Sequence, residues 1–266
     1  MKNIINVKRI INLFMKLFIV IFFFSNIIFA NTVFEPNKVP NIDYLKKLNQ
    51  LSEFELETYA KNRIFLMYAY DKIKVGKNEN IKCNKLSNKF NLNKFNIFNN
   101  SMKKYNLKFL QEINMNYVIF CENLTINDIL TAGIPNPVVS TLILDFAFDD
   151  KFFERAIHHE IFHMIQSNYD VDDLNTEWKM QNATNFTYAG CSTCTKNFDL
   201  SLKEENNGFI TKYSQASASE DQAEVFSVWM TNKVVFYSAI RNDEILKKKI
   251  KILENFLTKI NFIRND

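Results

Sequence analysis

Hydrophobic positions along the chain follow several periodicities in turn. From Tyr44 to about Lys74, Leu45, Leu48, Leu51, Phe54, Leu56, Ile64, Leu66 and Met67 recur near helical spacing, which predicts one or two helices. A Lys- and Asn-rich stretch over about 76–107 has only weak periodicity and is expected to be loop with short elements. Two short runs rich in β-formers follow, Asn116–Cys121 and Ser140–Ala147, with a turn region holding Gly133, Pro135 and Pro137 between them. Asp149 and Asp150 precede an apolar-periodic segment from Phe152 to about Gln166, read as a helix whose acidic start suits its exposed N–H groups. The last third predicts two more helices, Ser219 to about Ser238 and Asn242 to about Phe262. The second of these buries Ile245, Ile250, Leu253, Phe256, Leu257 and Ile260. Strands followed by helices, without internal repeats, predict a single α+β domain over 31–266, with 31–107 its less defined N-terminal part.

The first thirty residues depart from this scheme. Lys2, Lys8, Arg9 and Lys16 precede an apolar run, Leu17–Ala30, and polar Asn31-Thr32 follow, which is the layout of a secretory signal peptide cut after Ala30. A retained anchor is the other reading, but the run is about 14 residues against the ~20 that span hydrocarbon. No Cys follows the run, which sets a lipoprotein aside, and Pro36 and Pro40 mark an irregular leader behind it. The expectation is export, to the medium or to the periplasm and cell envelope, with no membrane span left after cleavage.

Charge and cysteine content take on meaning from that segment. The chain carries 33 Lys+Arg against 29 Asp+Glu, a net +4. The surplus lies entirely in the first thirty residues, so the remainder is balanced and has no basic excess for nucleic-acid phosphates. In an oxidising compartment Cys83, Cys121, Cys191 and Cys194 form an even set. The simplest of the three possible pairings joins Cys83 to Cys121 and Cys191 to Cys194. Cys191-Ser-Thr-Cys194 also admits a redox pair or half of a zinc knuckle, although no second Cys-x-x-Cys or nearby His completes a structural zinc site.

The histidines point to the chemistry. All 3 lie in His158-His159-Glu160-Ile161-Phe162-His163. His159 and His163, four apart on the predicted helix, differ by about 40° in angle and about 6 Å along the axis, so both can reach one metal ion. Glu160 is the next residue round and lies beside the ion's open position. This is the His-Glu-x-x-His pattern in which two His bind zinc and the Glu takes a proton from water. The composition yields roughly 0.002 such motifs by chance. His158 points about 100° away and is expected in the core or as an outer hydrogen-bond partner. A catalytic zinc site needs a third protein ligand. No His remains and disulfide use sets Cys aside, which leaves Glu177, Glu204, Glu205, Glu220 and Glu224. Glu220 is favoured because it opens a predicted helix on which Glu220 and Glu224 share a face. One can bind metal while the other hydrogen-bonds a ligand His, and small Ala223 between them permits close helix approach.

With Trp178, Asn182, Phe186 and Tyr188, then Gly208-Phe209 and Tyr213, then Glu220-Asp221-Gln222-Ala223-Glu224-Val225-Phe226, the stretch over about 108–240 resembles the exported bacterial zinc-binding metallopeptidases. These zincins look related to the lethal factor and Pro-Pro endopeptidase group. The resemblance implies a zincin-like domain, a small mixed sheet packed on an active-site helix with further C-terminal helices. It implies zinc held by His159, His163 and Glu220, Glu160 as general base, and Tyr213, seven residues before Glu220, donating a hydrogen bond to the oxyanion. Relatives usually have Tyr-Ala where this chain has Tyr213-Ser214, and the Cys191–Cys194 stretch does not come with the resemblance. It further implies that the segment before the helix, Ser140–Phe146, is a sheet edge that pairs with extended substrate. The expectation is a monomeric zinc endopeptidase acting on a protein or peptide near neutral pH. The competing expectation is a zincin-fold envelope or binding protein without turnover.

Overall fold

The computed structural model describes residues 53–87, 91–195, 198–241 and 243–265. All of them belong to a compact unit that begins at Ser52. The expected export signal, the leader and the expected helical positions before Glu53 lie outside the described residues.

Helix α1 (Glu53–Asn62) ends at Arg63, whose φ of 57° leaves the helical region, and the chain turns into strand β1 (Phe65–Tyr68). Only part of the expected helical stretch is therefore helical. Ile64 to Tyr68 is apolar without a break, the pattern of a strand in a parallel pair, and β1 pairs parallel with β4 (Tyr117–Ile126). Strands β2 (Ile73–Val75) and β3 (Ile81–Asn84) form a hairpin. Helix α2 (Leu92–Lys103) then replaces much of the expected loop. Its start is capped by the Asn91 side chain, which accepts from the Lys94 N–H, and Phe95, Phe98 and Met102 bury one face. Short helix α3 (Leu107–Glu112) leads into β4.

Strand β4 organises the sheet. Its first half lies between β1 and β7 (Thr141–Asp145), parallel to both, and its second half pairs with β3 and β5 (Ile129–Leu130). Beyond β7 lies β6 (Gly133–Asn136), antiparallel to it, so the sheet runs β2-β3-β4-β7-β6. The strand expected over Ser140–Ala147 is thus interior, and the edge is the Gly-Ile-Pro-Asn segment read as a turn. Pro135 has no N–H to donate, which a strand tolerates at a sheet edge.

Helix α4 (Asp150–Asn168) is capped by Asp149, whose side chain accepts from the Lys151 N–H. It buries Phe153, Ile157, Ile161, Phe162, Met164 and Ile165. After α5 (Asp172–Met180) comes irregular chain, then a 3₁₀ turn at Tyr213–Gln215 and helix α6 (Ala218–Thr231). The single helix expected to about Ser238 is two, because Asn232 is extended (φ −144°) between α6 and α7 (Lys233–Arg241). Helix α8 (Glu244–Lys259) buries Leu246, Ile250, Leu253, Phe256 and Leu257. The disulfides follow the simplest pairing, Cys83–Cys121 joining β3 to β4 and Cys191–Cys194 closing a tight ring. No helix among the described residues is long and apolar enough to cross a membrane.

Candidate metal centre

The site is built where α4 meets the start of α6. Ser217 caps α6 by accepting from the Glu220 N–H at 3.2 Å, which fixes Glu220 in the first turn. Its carboxylate points across to α4. Ala223, one turn on, is fully buried and leaves room for that approach.

Three donor atoms converge. His159 Nε2 lies 2.9 Å from Glu220 Oε2 and 3.1 Å from His163 Nε2, and His163 Nε2 lies 3.3 Å from Glu220 Oε2. Ligands about 2.0–2.1 Å from a tetrahedral zinc ion are separated by about 3.3 Å, so the triangle has the size a zinc ion requires. Its polarity fits as well. His159 Nδ1 lies 2.9 Å from Glu224 Oε1, a carboxylate that only an N–H can satisfy. His163 Nδ1 lies 2.7 Å from Gln166 Oε1, and that amide's nitrogen is already donating to Gln222 Oε1 at 2.7 Å. With both Nδ1 atoms donating, both Nε2 atoms present lone pairs to a carboxylate oxygen, an arrangement that needs a cation at its centre.

Without a metal ion, protons fill that role. Burial alone would depress His159, but Glu220 and Glu224 outweigh it and hold the imidazole well above its usual value. His163 is raised in the same sense, burial being overcome chiefly by Glu220. Burial also opposes ionisation of Glu220, yet the two imidazoles hold its carboxyl far below the usual range. A metal ion must displace these protons.

Residues that the sequence reading did not single out hold the donors in place. Arg155, one turn before His159, donates to Glu224 Oε2 at 2.6 Å and to the Leu200 carbonyl at 2.6 Å. Glu224 is thereby fixed between Arg155 and His159. Gln166, held by Gln222 and by the Ser219 hydroxyl at 2.6 Å, does the same for His163. Their spacing was the available signal, since Arg155 is four before one histidine and Gln166 three after the other.

Glu160 lies outside the donor triangle and is buried, which raises its carboxyl above the usual value. Edge strand β6 passes directly over it. A Cβ built on Gly133 would sit 2.5 Å from Glu160 Cγ, so no larger residue fits there without moving the carboxylate. Tyr213 stands at the far side, its ring 6.1 Å from that of His159. Its turn is tied by Thr211 and Ser214, the Ser214 N–H donating to Thr211 Oγ1 at 3.1 Å and the two hydroxyls 3.1 Å apart. Burial and the carboxylates of Glu220, Glu160 and Glu224 keep the phenol protonated. His158 takes the core role: it is fully buried, and its Nδ1 meets the Tyr105 hydroxyl at 2.5 Å, not a member of the donor cluster. Glu177, Glu204 and Glu205 take no part in the cluster.

Donors, Glu160 and Tyr213 all line one cavity of about 410 Å³, which β6 borders through Gly133, Ile134 and Pro135. Residues 143–265, somewhat under half the chain, match a family described as "Putative zinc-binding metallo-peptidase". The matched stretch contains His159, Glu160, His163, Tyr213 and Glu220. It supports a metallopeptidase of the zinc-binding kind, and the His/Glu cluster offers the place for the ion. A solved structure of a protein described as a putative zinc-binding metallo-peptidase from Bacteroides caccae is similar at 18% identity and a TM-score of 0.48, covering 79% of this chain and 88% of that one. Comparison with curated proteins found no match.

Proposed function

We propose that this chain is an exported zinc endopeptidase, with His159, His163 and Glu220 as zinc ligands, Glu160 as general base and Tyr213 as oxyanion donor. The observation that carries this reading is the triangle of donor atoms, 2.9–3.3 Å on a side, with a buried carboxyl on the adjoining residue. A zinc ion held there supplies a Lewis acid for the scissile carbonyl and lowers the pKa of water toward ~7.

The chain's own groups do the rest. Glu160 accepts a proton as water adds to the peptide carbon and returns it to the departing amine nitrogen, so the C–N bond breaks to acid and amine. Burial raises its carboxyl above the usual carboxylate value, the direction that favours taking up the proton it later returns. The Tyr213 phenol, kept protonated, donates to the carbonyl oxygen as negative charge grows there. Glu224 fixes the tautomer of His159, and Arg155 fixes Glu224. The outer edge of β6 offers main-chain groups to an extended peptide laid beside Glu160. Export is supported by the charge-then-apolar order of the first thirty residues and by the two disulfides.

The test is zinc content by atomic emission together with peptide-library cleavage, for the mature chain and its Glu160→Ala variant. Stoichiometric zinc in both, with cleavage reduced about 10²–10⁴-fold in the variant, is expected. A wild-type chain without zinc, or one that holds zinc and cleaves nothing, overturns the reading.

A further inference from the structure

The cavity that holds the donor cluster is lined by more than the donors and their polar partners. Its lining also includes Ile126, Ile129, Leu130, Phe148, Phe152 and Phe198. Leu130 and Phe198 remain 65% and 41% exposed at its mouth. Apart from the donor group and Glu160, the charged side chains on its lining are Arg155 and Glu224, already committed to each other and to the Leu200 carbonyl and His159 respectively. A charged substrate group entering here finds no free counter-charge, whereas an apolar one meets mainly apolar side chains, with uncharged hydroxyls at Thr131, Ser192 and Thr193.

One wall comes from the segment that the metal chemistry leaves unused. The Ala189 and Gly190 N–H groups donate to Gln215 O at 3.2 Å and Ala216 O at 2.9 Å, so the strand of chain entering the segment is fixed to the Tyr213 turn. The Cys191–Cys194 disulfide then closes a ring, with the Cys194 N–H donating to Cys191 O at 3.1 Å. The two residues inside that ring, Ser192 and Thr193, line the cavity. Past the ring, the chain is fixed again by the Tyr213 N–H on Asp199 O at 3.2 Å and by Arg155 on Leu200 O. Both ends are therefore anchored on residues of the site, and the disulfide holds the tip between them.

We propose that this recess receives a large apolar side chain flanking the scissile bond, and that the Cys191–Cys194 ring is the wall that closes on it. The disulfide then governs which side chain is selected and leaves metal binding alone. The proposal rests on the peptidase reading and names its substrate class: peptides with a bulky apolar residue beside the cleavage point.

The test uses the zinc-loaded mature chain and a series of peptide hydroxamates that differ in one side chain (none, isobutyl, benzyl, aminobutyl), with affinity read by calorimetry. Wild type is expected to bind the benzyl or isobutyl compound about 10-fold or more tighter than the compound with none, and to gain nothing from aminobutyl. In Cys191→Ser/Cys194→Ser that preference falls at least about 3-fold, while zinc content and the affinity of the side-chain-free compound stay within about 2-fold. Leu130→Glu, at an exposed rim position, supplies a second variant and shifts preference toward aminobutyl. Undiminished preference in the double variant overturns the role of the ring. Absence of any apolar preference in wild type overturns the recess. If zinc-loaded protein binds no hydroxamate at all, the peptidase reading fails first, and that result is distinct from binding without discrimination.

Discussion

Glu220 and Asp221 are neighbours in the first turn of α6, and their carboxylates enter two buried polar clusters of opposite kinds. Asp221 is answered from within the chain. Its Oδ2 accepts from Lys249 Nζ at 2.7 Å, Trp178 Nε1 at 2.8 Å and the Tyr188 hydroxyl at 2.8 Å, and Lys249 also donates to the Gly208 carbonyl at 2.7 Å. That cluster fastens α5, the 188 and 208 loops and α8 to the start of the ligand helix. Glu220 instead faces the Nε2 atoms of two imidazoles and lines the cavity. One cluster is closed and supplies its own cation; the other is open and calls for one from outside. What separates these two carboxylates is which partners the fold provides, not burial, which is nearly complete for both.

The contrast is broken most severely at Glu220. Glu220→Gln keeps the shape and removes the charge that neutralises the ion, so zinc stoichiometry after dialysis falls to near zero and peptide cleavage drops by more than about 10³-fold. Retention of tight zinc in this variant moves the third ligand elsewhere. Asp221→Asn strikes the closed cluster and leaves Lys249 buried without its counter-ion. The expected cost is about 3–5 kcal/mol in denaturant unfolding, with zinc still stoichiometric in the folded fraction. Adding Lys249→Met to that variant recovers stability, because it removes the uncompensated charge.

Acidity distinguishes the clusters next. In the metal-free chain His159 and His163 are raised, so their attraction to Glu220 is present below the unfolded value near ~6.5 and is lost as pH rises through their folded values. Glu220 is lowered, so its contribution is present above the unfolded value near ~4.3 and is lost as pH falls through its folded value. Zinc competes with the imidazole protons. Its affinity should therefore rise with pH across the histidine range, by up to about 10-fold per unit for each proton released. The rise in Tm on adding zinc should be larger at pH 8 than at pH 6, and a pH-independent increment contradicts this assignment. Glu224→Gln is milder: it weakens the hold on His159 Nδ1 and unseats Arg155, for about a 10–100-fold loss of zinc affinity in chelator competition.

Much of the open cluster was legible because its parts sit at helical spacing: His159, Glu160 and His163 on α4, Glu220 and Glu224 on α6. The closed cluster was not. Its members come from α5, two loops, α6 and α8, and no local pattern announces that Lys249 is buried. The fold was misread where two signals coincide. Gly133, Pro135 and Pro137 are turn residues, but in β6 glycine answers the closeness of Glu160 and proline the freedom of an edge. In α2, Phe95, Phe98 and Met102 do keep helical spacing, but the Lys and Asn around them weakened the pattern. His158 and His159 were separable from angle alone, since 100° of rotation sends one to Tyr105 and the other to the donors.

The smallest expected effect lies at the turn beside the open cluster. Ser214 is fully buried and its hydroxyl meets Thr211 Oγ1 at 3.1 Å, closing the turn that carries Tyr213. Ser214→Ala removes that neutral hydrogen bond and the longer one that Ser214 Oγ accepts from the Thr211 N–H at 3.4 Å, while the Ser214 N–H still donates to Thr211 Oγ1, so stability should fall by about 1–2 kcal/mol. The Lys249–Asp221 pair lies outside the altered contact and should not move, whereas Thr211 also hydrogen-bonds the Glu224 carboxylate, so zinc affinity should change by less than about 10-fold. If Tyr213 acts on the developing oxyanion, its looser placement should lower kcat a few-fold with KM unchanged. A matched loss in KM with kcat preserved assigns Tyr213 to peptide binding instead, and places the oxyanion's hydrogen bond on another group of the open cluster.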